Sequence, residues 1–291
     1  MNWHETIEYI REDPEYSYLV EKTYLEKDLF LNIERFGKSE EFNETIRFLK
    51  EFIPGGKSLL DIGAGNGISA VNFALKNYEV SAVEPDESES VGCKAIEFLI
   101  EHYNLNNLHV SKVYAEDMPF EDCSFDIVYV RQALHHAGNL KKFVKECSRL
   151  MKPGGILLTV RDHVINNESD KQRFLKSHPL QQFYGGENAY TIAEYETAFA
   201  EAGLIQSKRL KHYDSVINYY PMTIDEFNSY PSSVISSFRK KLRQKIGIFS
   251  SFPGLTLLFK IKNGLFSTRD YLKEDNIPGK LYSFIYQKPH E

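Results

Sequence analysis

From about residue 57 to residue 162, short apolar runs alternate with longer stretches whose apolar positions recur every three to four residues. The runs Ser58–Ile62, Tyr78–Glu84, Leu108–Ala115, Phe125–Arg131 and Ile156–Arg161 predict five strands. Helices are predicted at Gly67–Asn77, with Ile68, Val71 and Leu75 on one face, at Ser88–Tyr103 and at Leu140–Met151. Strands alternating with helices of this length imply βαβ units and a parallel sheet covered on both faces. Pro54-Gly55-Gly56 releases the first strand, and Lys152-Pro153-Gly154-Gly155 is expected to stop the helix before the fifth.

The flanks read differently. Residues 1–50 are predicted to be helical, with aromatics such as Trp3, Tyr9, Tyr16 and Phe36 set among charges. Residues 163–190 show little regularity. Thr191-x-x-Glu194 then forms a capping box for a helix ended by Gly203. A sixth strand follows at Leu204–Tyr213, and the alternating run Lys280–Gln287 gives a seventh. The chain thus divides into a helical cap (1–50), an α/β core (51–220 with 280–291) and a mostly helical insertion (221–279), a possible substrate lid.

Hydrophobic residues make up 42% of the 291 positions and charged residues 26%, as in ordinary globular proteins. A formal net charge of −6 argues against a dedicated nucleic-acid binder. Cys93, Cys123 and Cys147 have no zinc-type spacing and read as free thiols in a reducing compartment. The acidic N-terminal segment shows no secretory pattern, and the apolar stretch 246–259 is too short and too interrupted to span a bilayer. A cytoplasmic protein is expected. The segment Ser237–Ile246 carries five basic residues and no acid, with Phe238, Leu242 and Ile246 on one face. Such a helix can lie on an anionic membrane through 237–259 or guide a hydrophobic or acidic substrate. An ordinary packed helix with a solvated basic face is the preferred reading.

The turn Leu59-Leu-Asp-Ile-Gly63-Ala-Gly65-Asn-Gly67 joins the first strand to the first helix of the core. Glycines there let backbone amides approach a ligand beside a helix N-terminus. About twenty residues on, Glu84 ends the second strand, where a carboxylate can accept hydrogen bonds from both hydroxyls of a ribose. Dinucleotides and S-adenosylmethionine both suit this pattern. A dinucleotide loop has G-x-G-x-x-G, whereas this chain has Ile68 where the third glycine would fall. Asp61 also stands close to the loop, a poor neighbour for a pyrophosphate and a good one for an ammonium- or sulfonium-bearing ligand.

The segment LLDIGAGNG resembles the first motif of the class I S-adenosylmethionine-dependent methyltransferases, in the small-molecule (methyltransferase type 11) branch that includes ubiquinone and menaquinone biosynthesis enzymes. Ala115–Phe120, Phe125–His136 and Leu150–Gly155 resemble later motifs in the same order. The resemblance implies a Rossmann-like, doubly wound α/β sheet of seven mostly parallel strands, order 3-2-1-4-5-7-6, with the last antiparallel and the insertion between strands six and seven. It further implies that Gly63, Ala64 and Gly65 line the methionine end of S-adenosylmethionine, Glu84 holds the ribose, and Asp117 with Met118 the adenine. Arg131 would begin the loop beneath the cofactor, and Asp61 would act through water or loop geometry.

The expected function is methyl transfer to a small-molecule acceptor by in-line displacement. An NAD(P)-dependent oxidoreductase and a non-catalytic cofactor-binding protein remain alternatives. His135, His136 and His163 lie after the fourth and fifth strands, on the ligand-facing side, as candidates for orienting the acceptor or removing a proton. Neighbouring loop histidines seldom share one ion and no partner cluster is visible along the chain, so no metal is expected.

Overall fold

The computed structural model describes residues 1–246, 253–263, 272, 274 and 277–290, with the side chains of residues 239, 242–246 and 253–255 outside that description. The chain opens with α1 (Trp3–Glu12), α2 (Ser17–Lys22), α3 (Leu29–Lys38) and α4 (Glu40–Phe52). The core runs β1 (Ser58–Ile62), α5 (Ile68–Leu75), β2 (Glu79–Val83), α6 (Cys93–Tyr103), β3 (Leu108–Ser111), β4 (Phe125–Arg131), α7 (Leu140–Leu150) and β5 (Met151–Ile165). After it come α8 (Glu168–Ser177), α9 (Gln181–Tyr184), β6 (Tyr190–Thr191), α10 (Ile192–Glu201) and β7 (Ile205–Leu210). The last elements are α11 (Val216–Tyr219), α12 (Ile224–Ile246), α13 (Pro253–Asn263) and β8 (Lys280–Gln287).

The sheet order is β3-β2-β1-β4-β5-β8-β7, with β8 antiparallel to both of its neighbours. This is the expected doubly wound order, renumbered by one because Tyr190–Thr191 adds a two-residue strand beside Val164 and Ile165. Successive side chains of each strand face opposite layers. Leu59, Ile127 and Leu158 pack toward α3–α6 with Phe36, Phe42 and Phe73. Leu60, Val128 and Leu157 pack toward α7 and α10 with Phe143, Tyr195 and Phe199. A separate apolar cluster joins Ile7 and Ile10 of α1 to Val20, Val91 and Leu180.

Three expectations need correction. The glycine-rich turn at 152–155 lies inside β5: Met151 pairs with Phe125 and Ile156 with Ile127, and the residues between bulge out of register. The third strand ends at Ser111 rather than Ala115, because the chain leaves the sheet edge to wall the cleft described below. Residues 163–190 contain α8 and α9 and are not irregular. The capping box is formed as read, with Thr191 and Glu194 satisfying each other's backbone amides. Most side chains of the basic segment fall outside the described residues, although α12 is helical through it and Phe238 stacks on Phe259 of α13. Among the described residues, no helix is long and apolar enough to cross a membrane.

Candidate active site

The parallel strands end together at the carboxyl edge of the sheet, where a doubly wound fold leaves a crevice beside its first strand. Gly63 and Gly65 lie at φ +70° and +56°, the left-handed region that glycine adopts without cost. The amides of Gly63 and Ala64 both donate to the Val83 carbonyl, at 2.9 and 3.1 Å, which fastens the loop to the end of β2. Glu84 follows directly. Its Oε2 accepts from the Gly65 amide at 2.8 Å and its Oε1 from the Asp86 amide at 3.0 Å. The carboxylate is 8% exposed, and burial pushes its pKa up to about 7 despite those two amides.

A Cβ on Gly63 would sit 2.7 Å from the Ala133 Cβ, whereas one on Gly65 would meet open space. The loop is therefore braced at Gly63 and free toward the crevice at Gly65. Gly63→Val is expected to lower stability by about 1–3 kcal/mol from backbone strain alone, read as a lower urea midpoint with unchanged m-value.

Two cavities meet at this loop. The larger, about 670 Å³, runs past Glu84 and Asp86 to Val113–Glu116 and Ala137. The smaller, about 210 Å³, reaches inward past Asp61 and Arg131 to His135, His163, His178 and Glu187. Gly63, Gly65, Gln132, His136 and Trp3 border both. The passage from one cavity to the other is therefore at the glycine loop.

Of the residues read from sequence, Asp61, Gly63, Ala64, Gly65 and Arg131 line the small cavity, and Glu84 the large one. Asp61 is 1% exposed with its Oδ2 unpartnered, and burial pushes it up to about 7. The Arg131 guanidinium is already engaged: its Nε and one terminal nitrogen meet both oxygens of Glu41 in α4, at 2.6 and 3.2 Å. Asp117 and Met118 do not line the cleft. Asp117 is exposed, and Met118 turns its side chain into the core while its amide donates to Glu146. Glu116, one position earlier, takes the wall.

The histidines gather at the inner end. His135, 2% exposed, has Nδ1 3.1 Å from Asp162 Oδ1; burial pushes that acid up to about 8 and holds the imidazole well below its ordinary value. The His163 Nδ1–H donates to the Gly279 carbonyl at 2.6 Å, and burial lowers this ring to about 3. His136 places Nδ1 2.9 Å from the Gly186 carbonyl. Glu187, whose side chain is 5% exposed, lies 3.8 Å from His135 Nε2 and 3.5 Å from His178 Nδ1, and accepts from the Tyr184 hydroxyl at 3.1 Å. His178 and Glu41 were not singled out as site residues in the sequence, whereas the segment Tyr184–Glu187 reads there as a candidate part of the pocket wall. They stand far along the chain from the strand ends they adjoin, and only the fold brings them there.

A glycine turn fastened to the second strand, with a carboxylate facing it across a crevice on a sheet of this order, defines the class I methyltransferase fold. Residues 60–159 match the family described as "Methyltransferase domain". Over 151 residues the chain is 32% identical to the sterol 4-C-methyltransferase of Caenorhabditis elegans, covering 48% of this chain and 42% of that protein. Over 112 residues it is 34% identical to an uncharacterized methyltransferase of Bacillus subtilis, covering 36% and 40%. The chain thus matches less than half the length of these relatives. A crystal structure of geranyl diphosphate C-methyltransferase from Streptomyces coelicolor A3(2), in complex with Mg²⁺, geranyl diphosphate and S-adenosyl-L-homocysteine, superposes with a TM-score of 0.57. The superposition covers 97% of this chain and 87% of that one at 14% identity, a likeness of fold. Residues 60–159 are therefore a class I methyltransferase domain.

Proposed function

We propose that this protein transfers a methyl group from S-adenosylmethionine to a small-molecule acceptor. The observation that carries the reading is the Glu84 carboxylate held against the Gly65 amide at the mouth of the crevice. The residues fit that cofactor. Gly65 presents no side chain, Glu84 can accept from two ribose hydroxyls, and the buried Asp61 oxygen has no partner. When bound, S-adenosylmethionine supplies a methyl group already activated by its sulfonium.

In this reading Glu84 grips the ribose, and the segment Ala115–Met118 takes the adenine, with Glu116 facing the cleft and Asp117 at its solvent edge. Gly63, Ala64 and Gly65 carry the methionine arm past the loop toward Asp61 and Arg131. The acceptor then lies in the smaller cavity, in line with the methyl group. An acceptor that gains a methyl group at a hydroxyl or carbon acid would have a proton to lose. His136 borders both cavities and is the best placed to take it. The N-terminal helices act as a lid, and residues 221–279 shape the acceptor's binding. A hydrophobic or acidic acceptor, a cytoplasmic location and no nucleic-acid partner complete the proposal.

Calorimetric titration with S-adenosylhomocysteine and with NAD(H) tests the cofactor, and transfer of labelled methyl into a metabolite extract tests the activity. Tight binding of NAD(H) with none of S-adenosylhomocysteine would overturn the reading. The pH dependence is a sharper check. The ribose hydroxyls donate to ionised Glu84, so affinity should rise with pH up to about 7, by as much as about tenfold per unit, and level off above it. Asp61, Asp86 and Cys93 interact electrostatically with Glu84, and Tyr114, Glu116 and His136 are further titratable groups lining the same cavity. Glu84→Gln should flatten the profile.

A further inference from the structure

We infer that His135, His163 and Glu187 form a site for one divalent transition-metal ion at the inner end of the smaller cavity. The three side chains come from separate segments: the loop after β4, the outer half of β5, and the turn after α9. One ligand atom from each lies within 4.8 Å of the other two. Metal–nitrogen bonds near 2 Å place ligand atoms about 3–3.5 Å apart, so the side chains need close by only about 1 Å.

The tautomers are set for it. The Gly279 carbonyl can only accept, so His163 carries its proton on Nδ1 and leaves the Nε2 lone pair free. Behind His135 stands Asp162, at 3.1 Å from Nδ1. A cation at Nε2 would fix the shared proton on Nδ1, the arrangement in which a carboxylate backs a metal-bound imidazole. His135 Nε2 points at Glu187 from 3.8 Å, beyond hydrogen-bonding distance.

Charge gives an independent argument. Glu187 is nearly buried, and among the described residues its ion-pair neighbours are only His135 and His178. A carboxylate so enclosed gains from a cation beside it, and a divalent ion between it and the two rings would supply one. Two imidazoles and one carboxylate suit zinc or iron(II) and disfavour Mg²⁺, which prefers all-oxygen coordination. Three protein ligands leave positions open to the cavity. Resting on the methyl-transfer reading above, an ion there would seat an acceptor that offers an oxygen donor beside the passage for the methyl group.

The test uses the full chain stripped with a chelator and titrated with Zn²⁺ in a calorimeter, then with Co²⁺ followed by visible absorption. One ion per chain with a dissociation constant in the micromolar range or below is expected, and Mg²⁺ should not compete. His163→Ala and Glu187→Gln should each weaken zinc at least about tenfold while leaving affinity for S-adenosylhomocysteine unchanged. Failure of wild-type protein to bind S-adenosylhomocysteine would remove the functional reading and leave the metal site standing. Absence of saturable zinc binding, or wild-type affinity in both variants, would overturn the metal site. Anomalous scattering from zinc-soaked crystals decides the matter even if a variant fails to fold. The ion is expected between the three side chains, and density only elsewhere counts against the inference.

Discussion

Glu41→Ala should cost the free protein about 3–5 kcal/mol, the largest loss expected from a single substitution outside the apolar core. Glu41 is 0% exposed, in the first turn of α4, and its carboxylate faces two guanidinium groups. Arg131 at the end of β4 meets it bidentately, and an Arg161 nitrogen on β5 lies 3.7 Å from its Oε2. Removing the acid leaves Arg131 packed against Tyr24 and Phe36 with only Asp61, a carboxyl that burial holds near 7, to balance it. The penalty comes from that stranded charge rather than from the lost attraction alone. Glu41→Gln keeps a hydrogen-bond acceptor and should cost less. Replacing both Glu41 and Arg131 by methionine should cost least of the three, since a well-packed apolar pair often does as well as a buried ion pair. Urea unfolding at neutral pH checks the order of the three variants.

Glu84→Ala should weaken binding of S-adenosylhomocysteine by about 1–3 kcal/mol, between roughly 5- and 150-fold. Two effects compete. The variant loses charge-assisted hydrogen bonds to the ribose, but it also frees the Gly65 amide, which Glu84 occupies in the unliganded protein. An amide left without a partner at a crevice open to water is hydrated, so the second effect is small. The same substitution removes a carboxylate that burial holds near pKa 7, so the free protein should gain stability at pH 8 relative to pH 6 compared with the parent. The sign follows from linkage: an acid whose folded pKa is raised binds more protons folded than unfolded, and its burial becomes more costly as pH rises from the unfolded value through 7. Affinity falling while alkaline stability rises would separate a ligand-binding carboxylate from a structural one. Calorimetry and thermal melts at both pH values supply the two readings.

The core of the fold was legible because burial on both faces writes a strand as a short unbroken apolar run. Ser58–Ile62 and Phe125–Arg131 were bounded as they occur, and so was Lys280–Gln287, which was marked by alternation instead. The site was legible where its parts lie in one segment. The loop Gly63–Gly65 and the acid Glu84 needed only the distance from one strand end to the next. Of Glu116 and Asp117, two acids side by side, it is Glu116 that lines the cleft, and periodicity cannot say which of two neighbours a turn aims inward. Reading failed where contacts are long-range. Nothing local marks Glu41 as the partner of Arg131, and nothing links His135 to Glu187 before the chain has folded.

The antiparallel strand also bears on how the molecule comes to be built. Among the described residues β7 pairs with β8 alone, and β8 fills the gap between it and β5. While a ribosome is still translating the residues between 210 and 280, β5 presents an unpaired edge and β7 has nowhere to dock. The first five strands of the path can form meanwhile, but closure of the sheet waits for the last segment to emerge, which makes the nascent chain a natural client for chaperones.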